Sequence, residues 1–294
     1  MNAKMIEYSI PTPDTAPYGL TAGRDGALWF TEQKGNQIGR ITIEGVCTEY
    51  DIPTEDAGAS VITAAADGSL WFTQYKANKL GRMTPAGEIS EYALPVAGAA
   101  PFGIAEGPDG SIWFTEMMGN RIGRLLMTGE IIHYDVPTPG AFPSFIAAGP
   151  DGAMWFTENQ GNKIGKITMD GHISEFALPT PQAGPVGIAK GGDDALWFVE
   201  IMGNQIGRIT TDGEITEYRL PTVGAKPHAI TAGMDGAMWF TEWGSNQIGR
   251  ITATGDITEY PLPTAHAEPH GIAVGPDRAV WIACECNVIV RLGL

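Results

Sequence analysis

Tryptophan returns every 42 residues along the whole chain, at Trp29, Trp71, Trp113, Trp155, Trp197, Trp239 and Trp281. Seven periods of 42 fill the 294 residues with nothing left over. A repeat of this length built from short strand-like phrases is that of a β-propeller blade. In the first repeat, Gly19–Gly23 reads as an inner strand A and Ala27–Thr31 as strand B, with Asp25-Gly26 between them as a type I′ hairpin turn. Gln37–Thr42 reads as strand C and the alternating Thr48–Ile52 as an outer strand D. The expectation is an all-β, seven-bladed β-propeller with four antiparallel strands per blade, in one domain over residues 1–294. The tryptophans read as a structural stripe between blades.

The ends of the chain are out of phase with the blades. The last repeat stops after Val288–Leu292, which corresponds to strand C, while Ile6–Thr12 near the start repeats the strand D phrase of Ile257–Thr264. Residues 5–10 should therefore pair with the C-terminal blade and complete it, removing an unpaired edge. The formal charge of −16 argues against a nucleic-acid partner or an anionic membrane surface. No apolar run is long enough to span a bilayer. Three cysteines make no disulfide framework, and the first residues lack the apolar segment of a secretion signal. A cytoplasmic monomer is expected.

So regular a repeat makes its exceptions informative. In an up-and-down blade the D–A and B–C loops share one face, so the start of strand A and the end of strand B meet at one mouth. Eleven residues before each tryptophan the blades carry Tyr18, Ser60, Phe102, Ser144, Val186, His228 and His270, preceded by proline in six of the seven. Two positions earlier the series is Ala16, Gly58, Ala100, Phe142, Gly184, Lys226 and Glu268, with an acid in blade seven alone. Three residues after tryptophan come Glu32, Gln74, Glu116, Glu158, Glu200 and Glu242, but blade seven has Cys284; its acid moves to Glu285 in a loop one residue shorter. The repeated glutamates read as structural, accepting hydrogen bonds from loop amides, and His133, His172 and His266 as solvated positions. Cys284 and Cys286 read as ordinary thiols, since a zinc site needs three or four suitably spaced ligands.

Glu268, His270 and Glu285 then share one mouth on one blade, with His228 beside them. Two carboxylates suit Mg²⁺ or a similar hard cation whose remaining positions stay open to water or substrate. An imidazole alongside can accept a proton. Such a pairing suits proton abstraction α to a carbonyl and equally suits metal-assisted hydrolysis.

The repeated Trp-Phe-Thr-Glu and Gly-Asn-x-Ile-Gly-Arg phrases, with Glu268-Pro269-His270-Gly271, Pro227-His228 and Glu285, resemble the virginiamycin B (streptogramin B) lyase family over the full length. That resemblance implies a monomeric, Mg²⁺-dependent enzyme that linearises cyclic depsipeptide antibiotics by elimination at a threonyl ester, without adding water. It implies His270 as the general base, Glu268 and Glu285 as magnesium ligands, and His228 as a substrate contact. Tyr18, Phe102 and Trp243 are added as apolar walls for an aromatic-rich macrocycle. Two other readings remain beside it: a metal-dependent esterase or lactonase, and a non-catalytic binding ring.

Overall fold

In the computed structural model, which describes residues 4–293, the seven repeats form seven four-stranded antiparallel sheets. Strand β1 (Lys4–Ser9) is followed by blade one: β2 (Pro17–Ala22), β3 (Ala27–Glu32), β4 (Gln37–Thr42) and β5 (Cys47–Asp51). The same order repeats as β6–β9 over 59–93, β10–β13 over 101–135, β14–β17 over 143–177, β18–β21 over 185–219 and β22–β25 over 227–261. Blade seven has β26 (Pro269–Val274), β27 (Val280–Cys284) and β28 (Val288–Gly293), and β1 lies outside β28 as its fourth strand. The register runs from Lys4 opposite Gly293 to Ser9 opposite Val288. The expected closure by the N-terminal segment is therefore present; residues 1–3 and 294 lie outside the described residues.

The repeated phrases fix how each sheet packs. Phe30 on strand B pairs with Gly39 on strand C, and a Cβ on that glycine would stand 2.1 Å from the phenyl ring. Glycine is needed because the ring lies flat across the next strand. One pair further along, Arg40 Nε donates to Asp25 Oδ2 at 2.7 Å while Trp29 Nε1 donates to Asp25 Oδ1 at 3.1 Å. Burial alone would raise the Asp25 carboxyl; the bonds from Arg40 and Trp29 hold it below the usual range. Trp29 then stacks on Tyr50 of strand D, with ring centroids 5.6 Å apart. In blade seven the stacking partner of Trp281 is Tyr8, so β1 supplies an aromatic as well as an edge.

Two turn features refine the sequence reading. Type I′ geometry needs positive φ at both central residues, but in the first A–B turn only Gly26 is positive (φ 78°), not Asp25. The Asp-Gly pair instead follows ordinary right-handed residues with one left-handed residue, which serves Asp25 because its carboxylate must face back to the tryptophan. On the opposite face, the asparagine of each Gly-Asn phrase joins the B–C and D–A loops. Asn36, at φ 56°, donates to Ile52 O and Thr54 O and accepts from Ala57 N. In blade seven, Asn287 holds Ile10 O, Thr12 O and Thr15 N in the same way.

Candidate active site

Every inner strand enters through a left-handed residue, followed by proline in six blades and by Ala59 in blade two. Ala16, Gly58, Ala100, Phe142, Gly184, Lys226 and Glu268 all have φ between 48° and 67°. A side chain there costs about 1 kcal/mol or more relative to glycine, yet Phe142, Lys226 and Glu268 carry long ones. Their carbonyls anchor the neighbouring B–C loop: Trp243 N donates to Lys226 O at 3.3 Å and Glu285 N to Glu268 O at 3.2 Å. Immediately after this position each blade has a β-bulge, at 17–20 in blade one, 59–62 in blade two and 269–272 in blade seven. A bulge re-aims a side chain, and here it turns the variable position toward the axis.

Three of these positions gather into one cluster. The Tyr18 hydroxyl and His228 Nε2 are 3.1 Å apart. Tyr18 stacks on His270 with centroids 4.6 Å apart and an interplanar angle of 27°, and His228 meets His270 edge-on at 4.5 Å. His270 Nε2 is 2.8 Å from Glu285 Oε1. Gly271 permits this approach, since a Cβ on it would stand 2.3 Å from Tyr18 O. Burial, and then the neighbouring His270, push His228 down to about 3, so it is neutral at physiological pH. Burial, and then the Glu285 charge, push the Tyr18 phenol upward; its hydroxyl is enclosed although the ring keeps some exposure. The bond from His270, opposed by burial and helped by the charges of His270 and Lys34, lowers Glu285, which stays ionised.

Below the cluster is an axial cavity of about 80 Å³, lined by Tyr18, Val61, Phe145, His228 and His270 among others. A larger cavity of about 390 Å³ lies on the opposite face and contains no histidine or tyrosine–histidine pair. Of these two cavities, the histidines of the cluster line only the one at the mouth. Glu268 is exposed and its backbone is tied to that of Glu285, so both can offer hard oxygen ligands to a cation from the solvent side. Among the described residues no three His, Cys, Asp or Glu side chains enclose a metal position.

A sequence profile of the virginiamycin B lyase family matches residues 3–292. The chain belongs to the virginiamycin B lyase family. A streptogramin B lyase structure superposes with a TM-score of 0.97 at 51% identity, covering 100% of this chain and 98% of that one. A catalytically inactive H270A virginiamycin B lyase from Staphylococcus aureus, solved with quinupristin, superposes with a TM-score of 0.96 at 53% identity over 100% of both chains. A virginiamycin B lyase from Bacillus licheniformis is 61% identical over 45 residues, a match spanning 15% of either chain.

Within this member of the lyase family, the structure brings together Tyr18, His228, His270 and Glu285, and places Glu268 beside them through the backbone. Of the apolar walls, Phe102 meets Tyr18 edge-on at 6.2 Å and Trp243 lies 6.2 Å from His270. Phe145 was not anticipated: it contacts His228 at 5.9 Å and Phe102 at 5.5 Å. It sits one residue past the variable position, where Gly19, Val61, Gly103, Phe145, Gly187, Ala229 and Gly271 alternate glycine with larger residues. That alternation was the available signal. Lys226 Nζ lies 4.7 Å over the Trp243 ring and forms part of the rim.

Two bland expectations need correction. The repeated glutamates do not accept from loop amides. Glu32, Glu158, Glu200 and Glu242 are fully buried beside the strand D glutamates, and burial raises them to about 7, 8, 8 and 7 respectively. His133 is not solvated either. It replaces the strand D glutamate of blade three, and its Nδ1 lies 3.1 Å from Glu116 Oε1, while Arg121 Nε donates to Glu116 Oε2 at 2.7 Å. Cys284, in the buried-acid position of blade seven, is a core thiol that burial pushes well up. Cys286 is raised for the same reason.

Proposed function

We propose that this protein is a lyase that linearises streptogramin B cyclic depsipeptides by elimination at the threonyl ester. The observation that carries the reading is the His270–Glu285 pair, stacked on Tyr18 and flanked by a neutral His228, in a chain matching such lyases end to end. His270 is the general base. The threonyl α-proton passes to its imidazole, the released pair forms the Cα–Cβ double bond, and the Cβ–O bond breaks to free a carboxylate. Glu285 Oε1, 2.8 Å from Nε2, stabilises the imidazolium so formed. His228 offers a hydrogen bond without charge. Tyr18, Phe102, Phe145 and Trp243 supply apolar surface for the macrocycle. Loss of the corresponding activity in the H270A S. aureus enzyme supports the assignment of the base.

Glu268 and Glu285 would hold Mg²⁺. Bound there, the ion would polarise the carbonyl next to the α-carbon and so acidify its proton. Among the described residues no helix is long and apolar enough to cross a membrane. The reading includes a small-molecule substrate and a cytoplasmic monomer, with size-exclusion chromatography and cell fractionation as the checks. The test is incubation with a streptogramin B compound, with and without Mg²⁺, followed by mass spectrometry. Elimination yields a linear product of unchanged mass. A product heavier by one water would establish a hydrolase instead, and no turnover would leave a binding ring. His270→Ala should retain the far-ultraviolet spectrum of the parent and lose turnover by at least about a hundredfold.

A further inference from the structure

On the face opposite the mouth, one blade interface differs from the others. Six blades carry glycine just before the A–B turn: Gly23, Gly107, Gly149, Gly191, Gly233 and Gly275. A Cβ on any of them would stand 2.4–2.6 Å from the indole of that blade's tryptophan. Blade two carries Ala65. With a methyl present, Trp71 cannot occupy the place its six counterparts take. It lies at 37° to Tyr92, where the other tryptophan–aromatic pairs lie at 12–29°. It is also 8% exposed, against 4% or less elsewhere.

The displacement spreads to blade three. At five other interfaces the strand D aromatic packs onto the next blade's C–D turn glycine; Tyr134, for example, would meet a Cβ on Gly171 at 2.2 Å. Gly129, which should receive Tyr92, has nothing within 4 Å of that position. The space left is a crevice of about 390 Å³ with Trp71 and Tyr92 as aromatic walls and Ile112 and Leu125 as its apolar lining. A free donor also belongs to this wall. Ser69 takes Asp67 Oδ1 through its hydroxyl at 2.6 Å and its amide at 2.9 Å. In five blades that aspartate accepts the indole N–H. Trp71 Nε1 has no hydrogen-bond partner among the described residues. Trp113 loses its aspartate in the same way to Ser111, but its Nε1 is sealed in the core.

We propose that this crevice is a second small-molecule site, separate from the mouth, for a flat bicyclic heteroaromatic with a hydrogen-bond acceptor on its edge. Two aromatic faces suit a planar ring system, and the unpaired indole N–H calls for an acceptor. The volume is in the range of small-ligand pockets. Asp67 is paired with Arg82 at the rim, and Glu106 is occupied by Ala66 N, so a neutral ligand is favoured over a strongly charged one.

Quinoline is the probe. In a ¹H–¹⁵N correlation spectrum of the full chain, the Trp71 indole signal, assigned by its loss in Trp71→Phe, should shift saturably with a Kd of about 0.1–1 mM. Ala65→Gly restores the residue of the other six blades, so the variant folds. It should let Trp71 settle back, close the crevice, weaken quinoline at least about tenfold and leave turnover at the mouth unchanged. Trp71→Phe keeps an aromatic wall without the donor; followed by Ile112 methyl shifts, it should bind about fivefold more weakly or worse. Equal binding by Ala65→Gly, or quinoline shifts confined to the mouth, would overturn the proposal.

Discussion

Replacing Glu200 with glutamine should stabilise the protein at neutral and alkaline pH while leaving it unchanged in mild acid. Glu200 ends β19 (Leu196–Glu200), fully buried, with Gln205 Nε2 donating to its Oε2 at 2.7 Å. Burial is the main influence on it; the Gln205 bond partly opposes the rise, the Glu217 charge adds to it, and the carboxyl reaches about 8. In an unfolded chain the same group ionises near 4.5. Between those two values the folded state keeps a proton that the unfolded state has released, so stability falls as pH rises through the window. At about 1.4 kcal/mol per pH unit, the penalty at pH 7 is about 3 kcal/mol. Glutamine has the same shape and no proton to lose. Blade two already contains the exchange, with Gln74 Nε2 donating to Glu91 Oε1 at 3.0 Å. Glu200→Gln should therefore gain about 2–3 kcal/mol at pH 7, or roughly 5 °C in Tm for a chain of this size. Thermal and urea unfolding at pH 4.5 and 7.5 would measure it. A variant less stable than its parent at pH 7.5, or one with the same gain at pH 4.5, would refute the reasoning.

The parent protein should itself lose stability from about pH 5 to pH 8, because Glu32, Glu158 and Glu242 are raised in the same sense; a pH series of urea midpoints checks this. Asp235 has the opposite sign, held low by Arg250 and Trp239 against burial, so its contribution is present above about 4 and disappears in stronger acid. Asp235→Asn should cost about 1–2 kcal/mol at pH 7 by the same unfolding assay. Gly271→Ala drives a methyl into the backbone at Tyr18 O and Leu20 N and separates Tyr18 from His270; kcat/KM on a streptogramin B compound should drop at least about tenfold, and overpacking of about 1–3 kcal/mol should lower Tm as well. Glu268→Gln should raise the Mg²⁺ concentration needed for half-maximal turnover, and excess Mg²⁺ should recover part of the rate.

The period made the blades legible because a 42-residue repeat with one Trp, one Phe–Gly pair and one Asp–Arg pair admits few other packings. Closure was legible for the same reason: β1 repeats the strand D phrase of its neighbours. The site residues emerged as departures from the repeat, and His228, Glu268, His270 and Glu285 all lie at the mouth. What escaped was side-chain pairing across strands. Glu116 looks like its counterparts in sequence, yet it faces Arg121 and His133 where Glu200 faces Glu217. The partner, 17 residues away on strand D, decides whether the buried carboxyl meets a second carboxyl or an imidazole. The A–B turn escaped because Asp-Gly suits more than one hairpin, and only the demand of Trp29 Nε1 on Asp25 selects among them.

The location of the site at the ring closure follows from the chain's construction. Six blades end strand B with a buried carboxyl or amide facing strand D, and those groups are locked into the sheet. Blade seven receives its strand D from β1, whose Glu7 is bonded to Thr264 N and Oγ1 of the preceding loop. Cys284 faces this strand in place of an acid. Shortening the loop by one residue moves the acid from the core to the mouth, where Glu285 meets His270. The framework keeps its hydrophobic packing through Cys284, and Asn287 still ties the loop to Ile10, Thr12 and Thr15. Displacing β1 should therefore disturb the site as well as the edge. Ile6→Pro, which removes a ladder donor in the β1–β28 pair, should lower Tm and impair turnover together. If turnover survived unchanged in a variant whose β1 had demonstrably detached, Glu285 would have to be positioned by blade seven alone.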